Sequence, residues 1–122
     1  MKIAGIEHVQ LAMPPGGDDR ARDFYGGVLG LTEVPKPPAL AVRGGLWFEN
    51  DCVRIHLGIE KDFRAARKAH PALLVHGLDA LARRLREAGY DVVEPEPLEG
   101  YDRMHTQDPF GNRIELMEPC GR

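Results

Sequence analysis

Apolar residues along this chain change their period twice, in the same order. Ile6-Glu7-His8-Val9-Gln10-Leu11 alternates apolar and polar, the period of a strand with one buried face. Ala21, Phe24, Tyr25, Val28 and Leu29 then fall at i, i+3, i+4, i+7 and i+8, which predicts one buried face of a helix. Asp18 or Asp19 is placed to cap its start and Gly30 to end it. Gly26 and Gly27 lie inside the pattern and each costs roughly 1 kcal/mol against alanine, so this helix has to lean on tertiary packing. Residues 31–34 return to an extended pattern, and a loop with Pro35, Pro37 and Pro38 follows. Two short strands, 46–49 and 53–58, are predicted on either side of a hairpin-like turn at Asn50-Asp51.

The second half repeats the series. Residues 70–75 read as a strand, and Leu78, Leu81, Ala82 and Leu85 form a second helix face ended by Gly89. A strand over 90–93 leads into a loop with Pro95 and Pro97, and strands near 103–107 and 112–118 are joined by Asp108-Pro109-Phe110-Gly111. The unit is βαβββ, used twice, at about 1–60 and about 68–119. His8 and His70 stand 62 positions apart, and His56 and Glu115 stand 59 apart. Arg54-Ile55-His56-Leu57 and Arg113-Ile114-Glu115-Leu116 differ only where one metal-ligating residue type replaces another. Two copies are too few for a solenoid. The fold class expected is α+β, two modules building a curved mixed sheet with a concave site, in one domain over 1–122.

Strand alternation sorts the side chains. Val9 and Leu11 oppose His8 and Gln10; Val53, Ile55 and Leu57 oppose Arg54 and His56; Leu73 and Val75 oppose His70 and Ala72; Ile114 and Leu116 oppose Arg113, Glu115 and Met117. Apolar residues go under the helices each time, and His or Glu goes to the other face. A single strand histidine is usually a half-buried hydrogen-bonding residue, but ligand types at equivalent places in both copies form a pattern. The expected metal set is His8, His56, His70 and Glu115. Imidazole and carboxylate together suit a divalent transition metal (Zn, Ni, Fe, Mn or Co), and no cysteine joins them to make a structural zinc site.

Composition narrows the field. The chain has 122 residues, 43% hydrophobic and 29% charged, with a formal net charge of −3. That is enough for one domain, ordinary for a globular protein, and too acidic for nucleic-acid binding driven by counterion release. No apolar run approaches the ~20 residues of a membrane helix, and Glu7 and His8 interrupt any signal-peptide core. The only two cysteines, Cys52 and Cys120, make no disulfide framework, so a reducing cytoplasm is expected.

The chain resembles the vicinal oxygen chelate superfamily, the glyoxalase, bleomycin-resistance and extradiol dioxygenase group. The stretches that carry the resemblance are Ile6-Glu7-His8-Val9-Gln10-Leu11, Asp23-Phe24-Tyr25…Val28-Leu29-Gly30-Leu31, Arg54-Ile55-His56-Leu57 and Asp108-Pro109-Phe110-Gly111-Asn112-Arg113-Ile114-Glu115-Leu116. The resemblance implies paired βαβββ modules, a homodimer with the site shared between subunits, and metal ligands on the first, fourth, fifth and eighth strands. His8, His70 and Glu115 match three of those places. His56 falls where glyoxalase I-like members have a carboxylate and methylmalonyl-CoA epimerase-like members a glutamine, so here the chain departs from both. The chemistry implied is bidentate chelation of a small substrate through adjacent oxygens, with an enediolate or other oxyanion stabilised. Glu115 and His56 are the catalytic candidates.

Around these, Trp47, Arg54, Tyr101, Arg103, His105 and Arg113 are candidates for holding substrate. Arg54 and Arg113 flank the ligands and have as alternatives pairing with Glu7, Glu49 or Glu118. Arg64, Arg67 and Lys68 read as a solvated linker, and His76 as helix-end packing. The leading expectation is a metal-dependent glyoxalase-like lyase or isomerase. The alternatives are a metal-free protein that sequesters a small molecule, as bleomycin-resistance members do, and an extradiol-type dioxygenase using His8, His70 and Glu115 on Fe²⁺.

Overall fold

The computed structural model describes residues 1–120. The chain divides into two compact units, Met1–Arg64 and Ala65–Arg122. Unit 1 holds β1 (Val9–Met13), α1 (Asp18–Ala21) continued by a π-helical segment (Arg22–Val28), β2 (Thr32–Val34), α2 (Pro38–Ala41), β3 (Leu46–Glu49) and β4 (Arg54–Ile59). Unit 2 holds β5 (Ala72–Leu74), α3 (Leu78–Glu87), β6 (Tyr101–Gln107) and β7 (Arg113–Pro119). The α+β class and the mixed sheets agree with expectation.

In unit 1 the sheet order is β1-β4-β3-β2, with β1 parallel to β4 and the other pairs antiparallel. The parallel pair forms because the helix and two strands intervene between β1 and β4, the crossover length such a pairing requires. Leu11, Met13, Phe24, Tyr25, Phe48, Ile55 and Leu57 are buried beneath the helix. Phe24 and Tyr25 meet edge to face at 4.9 Å, and Tyr25 stacks on Phe48 at 5.7 Å. Truncating Phe48 to alanine would remove about 3–5 kcal/mol.

The helix differs from its expected form. Its first turn is α-helical, and the backbone then widens, with Leu29 N–H donating to the Phe24 carbonyl at 2.8 Å. Each residue turns through a smaller angle in the wider helix, so the neighbours Phe24 and Tyr25 both reach the core, while Val28 and Leu29 are only half-buried. The adjacent Gly26 and Gly27 resist this departure least. Gly17, not Asp18 or Asp19, occupies the cap position, and no side chain caps it. Gly30 ends the element as expected, at φ +76°.

Three strands also differ, and the one expected over 70–75 spans only Ala72–Leu74, so His70 lies before it. β1 starts three residues later than expected, so His8 lies just before the strand, and Met1, Ile3 and Ile6 are exposed. The strand expected over 90–93 reduces to a single antiparallel bridge between Val93 and His105. Glu94-Pro95 follows it, and proline has no N–H with which to extend a ladder.

Unit 2 has the order β5-β7-β6, parallel then antiparallel. Leu78, Ala82 and Leu85 of α3 pack with Met104, Ile114 and Leu116. The first turn of α3 is capped from β7, where Glu118 accepts from the N–H groups of Gly77 and Leu78 at 2.7 and 3.1 Å. Those two bonds hold the Glu118 carboxyl below the usual carboxylate range.

The Asp108-Pro109-Phe110-Gly111-Asn112 turn ties unit 2 together. Asp108 Oδ1 accepts from the N–H groups of Phe110 and Asn112, each at 2.9 Å. The fully buried Asn112 donates to Asp108 Oδ2 and accepts from the Ala66 N–H, both at 2.9 Å. Arg113 N–H reaches the Ala66 carbonyl at 2.9 Å. These bonds dock the segment that carries His70 beside β7.

Candidate functional site

In unit 2, three side chains that can ligate a metal converge. The hairpin register places His105 on β6 directly opposite Glu115 on β7. His70 stands two residues before β5, whose Ala72 also pairs with Glu115. One ligand atom from each of His70, His105 and Glu115 can be chosen so that all lie within 4.8 Å of one another. The imidazoles of His70 and His105 are tilted by 59° with centroids 5.6 Å apart, so their edges rather than their faces point inward.

The hydrogen bonds around this cluster are compatible with a cation among these side chains. His70 Nδ1 lies 2.7 Å from the Lys68 carbonyl, which can only accept, so Nδ1 carries a proton. The other nitrogen, Nε2, lies 2.9 Å from Glu115 Oε1, which as a carboxylate also only accepts. Without a metal the ring therefore needs both protons to satisfy both neighbours. A metal ion at Nε2 removes that need and leaves the Nδ1–H to carbonyl bond, an arrangement that fixes ligating histidines. His105 Nε2 is buried with no hydrogen-bond partner, and stands 3.4 Å from Glu115 Oε1 out of bonding geometry. A buried nitrogen of this kind normally finds a partner, and a divalent ion would be one.

Electrostatics favour the ligand forms. Burial pushes the His105 imidazole below its ordinary range, against the pull of Glu115, which leaves a neutral nitrogen for a metal. For Glu115, burial pushes upward, but hydrogen bonds from His70 and Arg103 and the field of His105 outweigh it, so the carboxyl titrates below its usual range. Arg103 donates from Nη1 to Glu115 Oε2 at 3.1 Å.

Unit 1 arranges its histidines differently. Trp47 on β3 pairs across the sheet with His56 on β4, and the two rings lie 4.2 Å apart and 6° from parallel. His8 covers the other face of His56 at 4.1 Å and 17°. The sandwich buries His56 although its neighbours Ile55 and Leu57 take the core side of the strand. Burial, followed by the field of His8, pushes the His56 imidazole below its ordinary range. Glu7 binds His8 Nδ1 at 3.0 Å and also pairs with Arg54, which reaches Glu49 at 3.4 Å. Arg54 is thus paired with two carboxylates.

This stack borders a cleft of about 710 Å³, also lined by Gln10, Lys36 and Arg43. Gly44 lines one edge of it, where its φ is +72° and a Cβ would strike the end of the Ile59 side chain. Lys36 donates across the cleft edge to the Gly44 carbonyl.

Of the expected metal set, the structure pairs His8 with His56 in unit 1 and His70 with Glu115 in unit 2. His105, read from the sequence as a substrate residue, sits among the ligand-type side chains. Counting equally back from the 108–111 turn would have placed it opposite Glu115, so the signal was in the hairpin. Tyr101 stands exposed at the start of β6, Arg113 is half-buried on β7, and Trp47 is half-buried. Arg64, Arg67 and Lys68 are exposed, and Lys68 acts through its backbone.

A family model described as Glyoxalase/Bleomycin resistance protein/Dioxygenase superfamily matches residues 5–116. No curated protein matches the chain. Among solved structures, one described as a glyoxalase family protein from Bacillus anthracis is 42% identical with a TM-score of 0.93, covering 98% of both chains. The antibiotic-binding protein TnmS3 from Streptomyces sp. CB03234 is 25% identical with a TM-score of 0.69, covering 97% of this chain and 100% of that one. The fosfomycin resistance protein FosX from Listeria monocytogenes, solved with Mn(II) and sulfate, shares the fold at 14% identity and a TM-score of 0.77, covering 98% and 94%. A model that spans nearly the whole chain, and a near-superimposable relative at that identity, leave one conclusion: the chain belongs to the glyoxalase/bleomycin resistance protein/dioxygenase superfamily.

Proposed function

We propose that this chain is a metal-dependent enzyme of glyoxalase type, a lyase or isomerase acting on a small substrate with two adjacent oxygens. One observation carries the reading: His70, His105 and Glu115 gather with a buried, partnerless imidazole nitrogen among them. His70 and Glu115 would hold the ion, with His105 as the added candidate. His8 and His56 are assigned to it on sequence grounds. When bound, the metal supplies Lewis-acid polarisation of the substrate oxygens.

The chain's own residues do the rest. His56, kept neutral by burial and clamped face-on by Trp47 and His8, is suited to take a proton at a ring nitrogen. Glu115 stays ionised through the neutral range because His70 and Arg103 bond to it. Arg113 and Tyr101 are assigned to orienting an anionic or hydroxylated substrate. A cytoplasmic homodimer with a shared site belongs to the same reading, and sedimentation velocity tests its stoichiometry. Among the described residues no helix is long and apolar enough to cross a membrane, and Cys52 and Cys120 are free thiols.

The test is elemental analysis of untagged protein purified without chelator, with Mn(II), Zn(II), Ni(II), Co(II) and Fe(II) offered to the stripped chain. Mn(II) comes first because FosX was solved with it. About one ion per subunit, lost in Glu115→Gln, supports the reading; stoichiometric metal retained in that variant removes it. Metal analysis of His8→Gln and His56→Gln decides their assignment independently, since undiminished occupancy withdraws it.

A second reading has its own support. TnmS3 is an antibiotic-binding protein, and the unit 1 cleft, bordered by the aromatic stack, has the size of a small-molecule site. Protein that takes up none of the five ions would be read as a binding protein.

A further inference from the structure

Arg103 was expected to hold substrate, and each of its three guanidinium nitrogens also makes a hydrogen bond within the chain. Nη1 bonds Glu115 Oε2 at 3.1 Å, while Nε and Nη2 both bond the Glu96 carbonyl, at 3.2 and 2.5 Å. The guanidinium is largely sheltered, its side chain only 19% exposed, and it makes no other ion pair among the described residues. The planar fork thus spans the ligand-type carboxylate on β7 and the irregular segment 94–99, which carries Pro95 and Pro97 and is tied to β6 by the bridges at Val93 and Leu98.

The two oxygens of Glu115 are consequently unlike. Oε1 faces His70 Nε2 and His105 Nε2, and Oε2 faces Arg103. A carboxylate held at one oxygen by a fixed cation cannot rotate freely, so it presents the other oxygen in a set direction. Lysine at this place would supply charge without the fork, and could not hold the Glu96 carbonyl with two nitrogens while reaching Glu115.

We infer that Arg103 is a positioning residue with two linked tasks: it reserves Oε1 of Glu115 as the single metal-binding oxygen, and it couples that oxygen to the 94–99 segment. The inference rests on the metal reading above. Because the two ends share one guanidinium, an ion bound at Oε1 steadies the segment, and an ordered segment steadies the carboxylate. Such linkage is reciprocal.

The experiment titrates Mn(II) into metal-stripped wild type, Arg103→Met and Arg103→Lys by calorimetry, and follows amide hydrogen exchange over 94–99 with and without the ion. Circular dichroism and thermal melting confirm that each variant is folded. In wild type, Mn(II) slows exchange in the segment. Arg103→Met binds Mn(II) ~10–100-fold more weakly, the usual effect of losing a group that orients a ligand. Its 94–99 amides exchange faster and no longer respond to the ion. Arg103→Lys recovers part of the affinity but not the protection of the segment, and remains informative if the methionine variant does not fold. Affinity within threefold of wild type in a folded Arg103→Met overturns the inference, even if the segment loosens, because Arg103 would then only staple the loop. Wild type that binds neither Mn(II) nor the other four ions removes the metal reading and this inference together. That failure is distinguishable because it occurs in the unsubstituted protein.

Discussion

The two units share a tetrapeptide that differs at one position, and each turns the difference into another kind of cluster. In unit 1, Arg54-Ile55-His56-Leu57 carries a ring across the sheet from Trp47, and the flat faces of His8, His56 and Trp47 stack at 4.1 and 4.2 Å. In unit 2, Arg113-Ile114-Glu115-Leu116 puts a carboxylate across from His105, and the imidazoles of His70 and His105 turn their edges toward it. Stacking consumes ring faces and buries the group by dispersion and desolvation. A carboxylate recruits ring nitrogens because its oxygens accept and theirs donate or ligate. The same backbone register therefore makes a hydrophobic-electronic stack in one case and a ligand cluster in the other, according to one side chain.

The largest effect should come from erasing that side chain. Glu115→His gives unit 2 the tetrapeptide of unit 1, and should lower metal affinity by at least ~100-fold, because the carboxylate oxygen that both imidazoles face is gone. Metal analysis beside circular dichroism checks it. A variant that keeps one ion per subunit would show that the difference between the tetrapeptides is incidental.

Next is Asn112→Ala, which removes the link between the Asp108 turn and the Ala66 segment. It strands the Ala66 N–H and an Asp108 oxygen in a buried place, so urea denaturation should show a loss of about 2–3 kcal/mol. Metal affinity should weaken with it, since His70 follows on the same segment. Equal stability would mean that the segment is held from elsewhere.

Smaller is Trp47→Phe, which keeps an aromatic face but shortens it. It should destabilise by about 1 kcal/mol, and leave metal binding in unit 2 unaltered if the stack and the ligand cluster are independent. A parallel loss of metal would erase the contrast between the units.

The smallest effect is one of pH. Burial and His8 hold the folded His56 value below that of the unfolded chain, roughly 6.5. In the window between those two values the unfolded chain binds more protons, so the stability present above the unfolded value is lost as pH falls through the folded one. Trp47 is the only tryptophan and touches the His56 ring, so its emission should change with a midpoint below that of a free histidine. His56→Gln should abolish the change. A midpoint at the free value would mean that the ring is not shielded by its neighbours.

Much of this was legible along the chain. The repeat, the apolar faces, the helix end at Gly30 and the turns at Asn50 and Asp108 follow from local rules of period and turn chemistry, which act over a few residues. The turn at Asn50 forms as those rules require, its Oδ1 accepting from the N–H groups of Cys52 and Val53 at 2.8 and 2.9 Å. The π-helical segment was not legible, because the apolar spacing fits an α-helical period, and the widening shows only in the packing, with Phe24 edge to face on Tyr25 and Tyr25 stacked on Phe48. The strand over 90–93 was not decided by its apolar residues, because a ladder needs a partner strand alongside and there only Val93 is paired, with His105. The cap of α3 escaped because Glu118 is remote in sequence.

By itself the sequence determined that two βαβββ-like copies exist, that His8, His56, His70 and Glu115 occupy corresponding places, and that the chain is of the glyoxalase superfamily. Those are statements about periodicity, spacing and short motifs. Only the tertiary structure decided that His56 is sandwiched between two rings, that His105 stands beside Glu115 with a nitrogen that makes no hydrogen bond, and that Arg103 bonds that carboxylate. Each of these depends on which strand lies beside which, and on the direction in which a polar side chain finds its partner. Local pattern sets the face of a residue, while hydrogen-bond geometry and desolvation, which act across distant parts of the chain, set its neighbours.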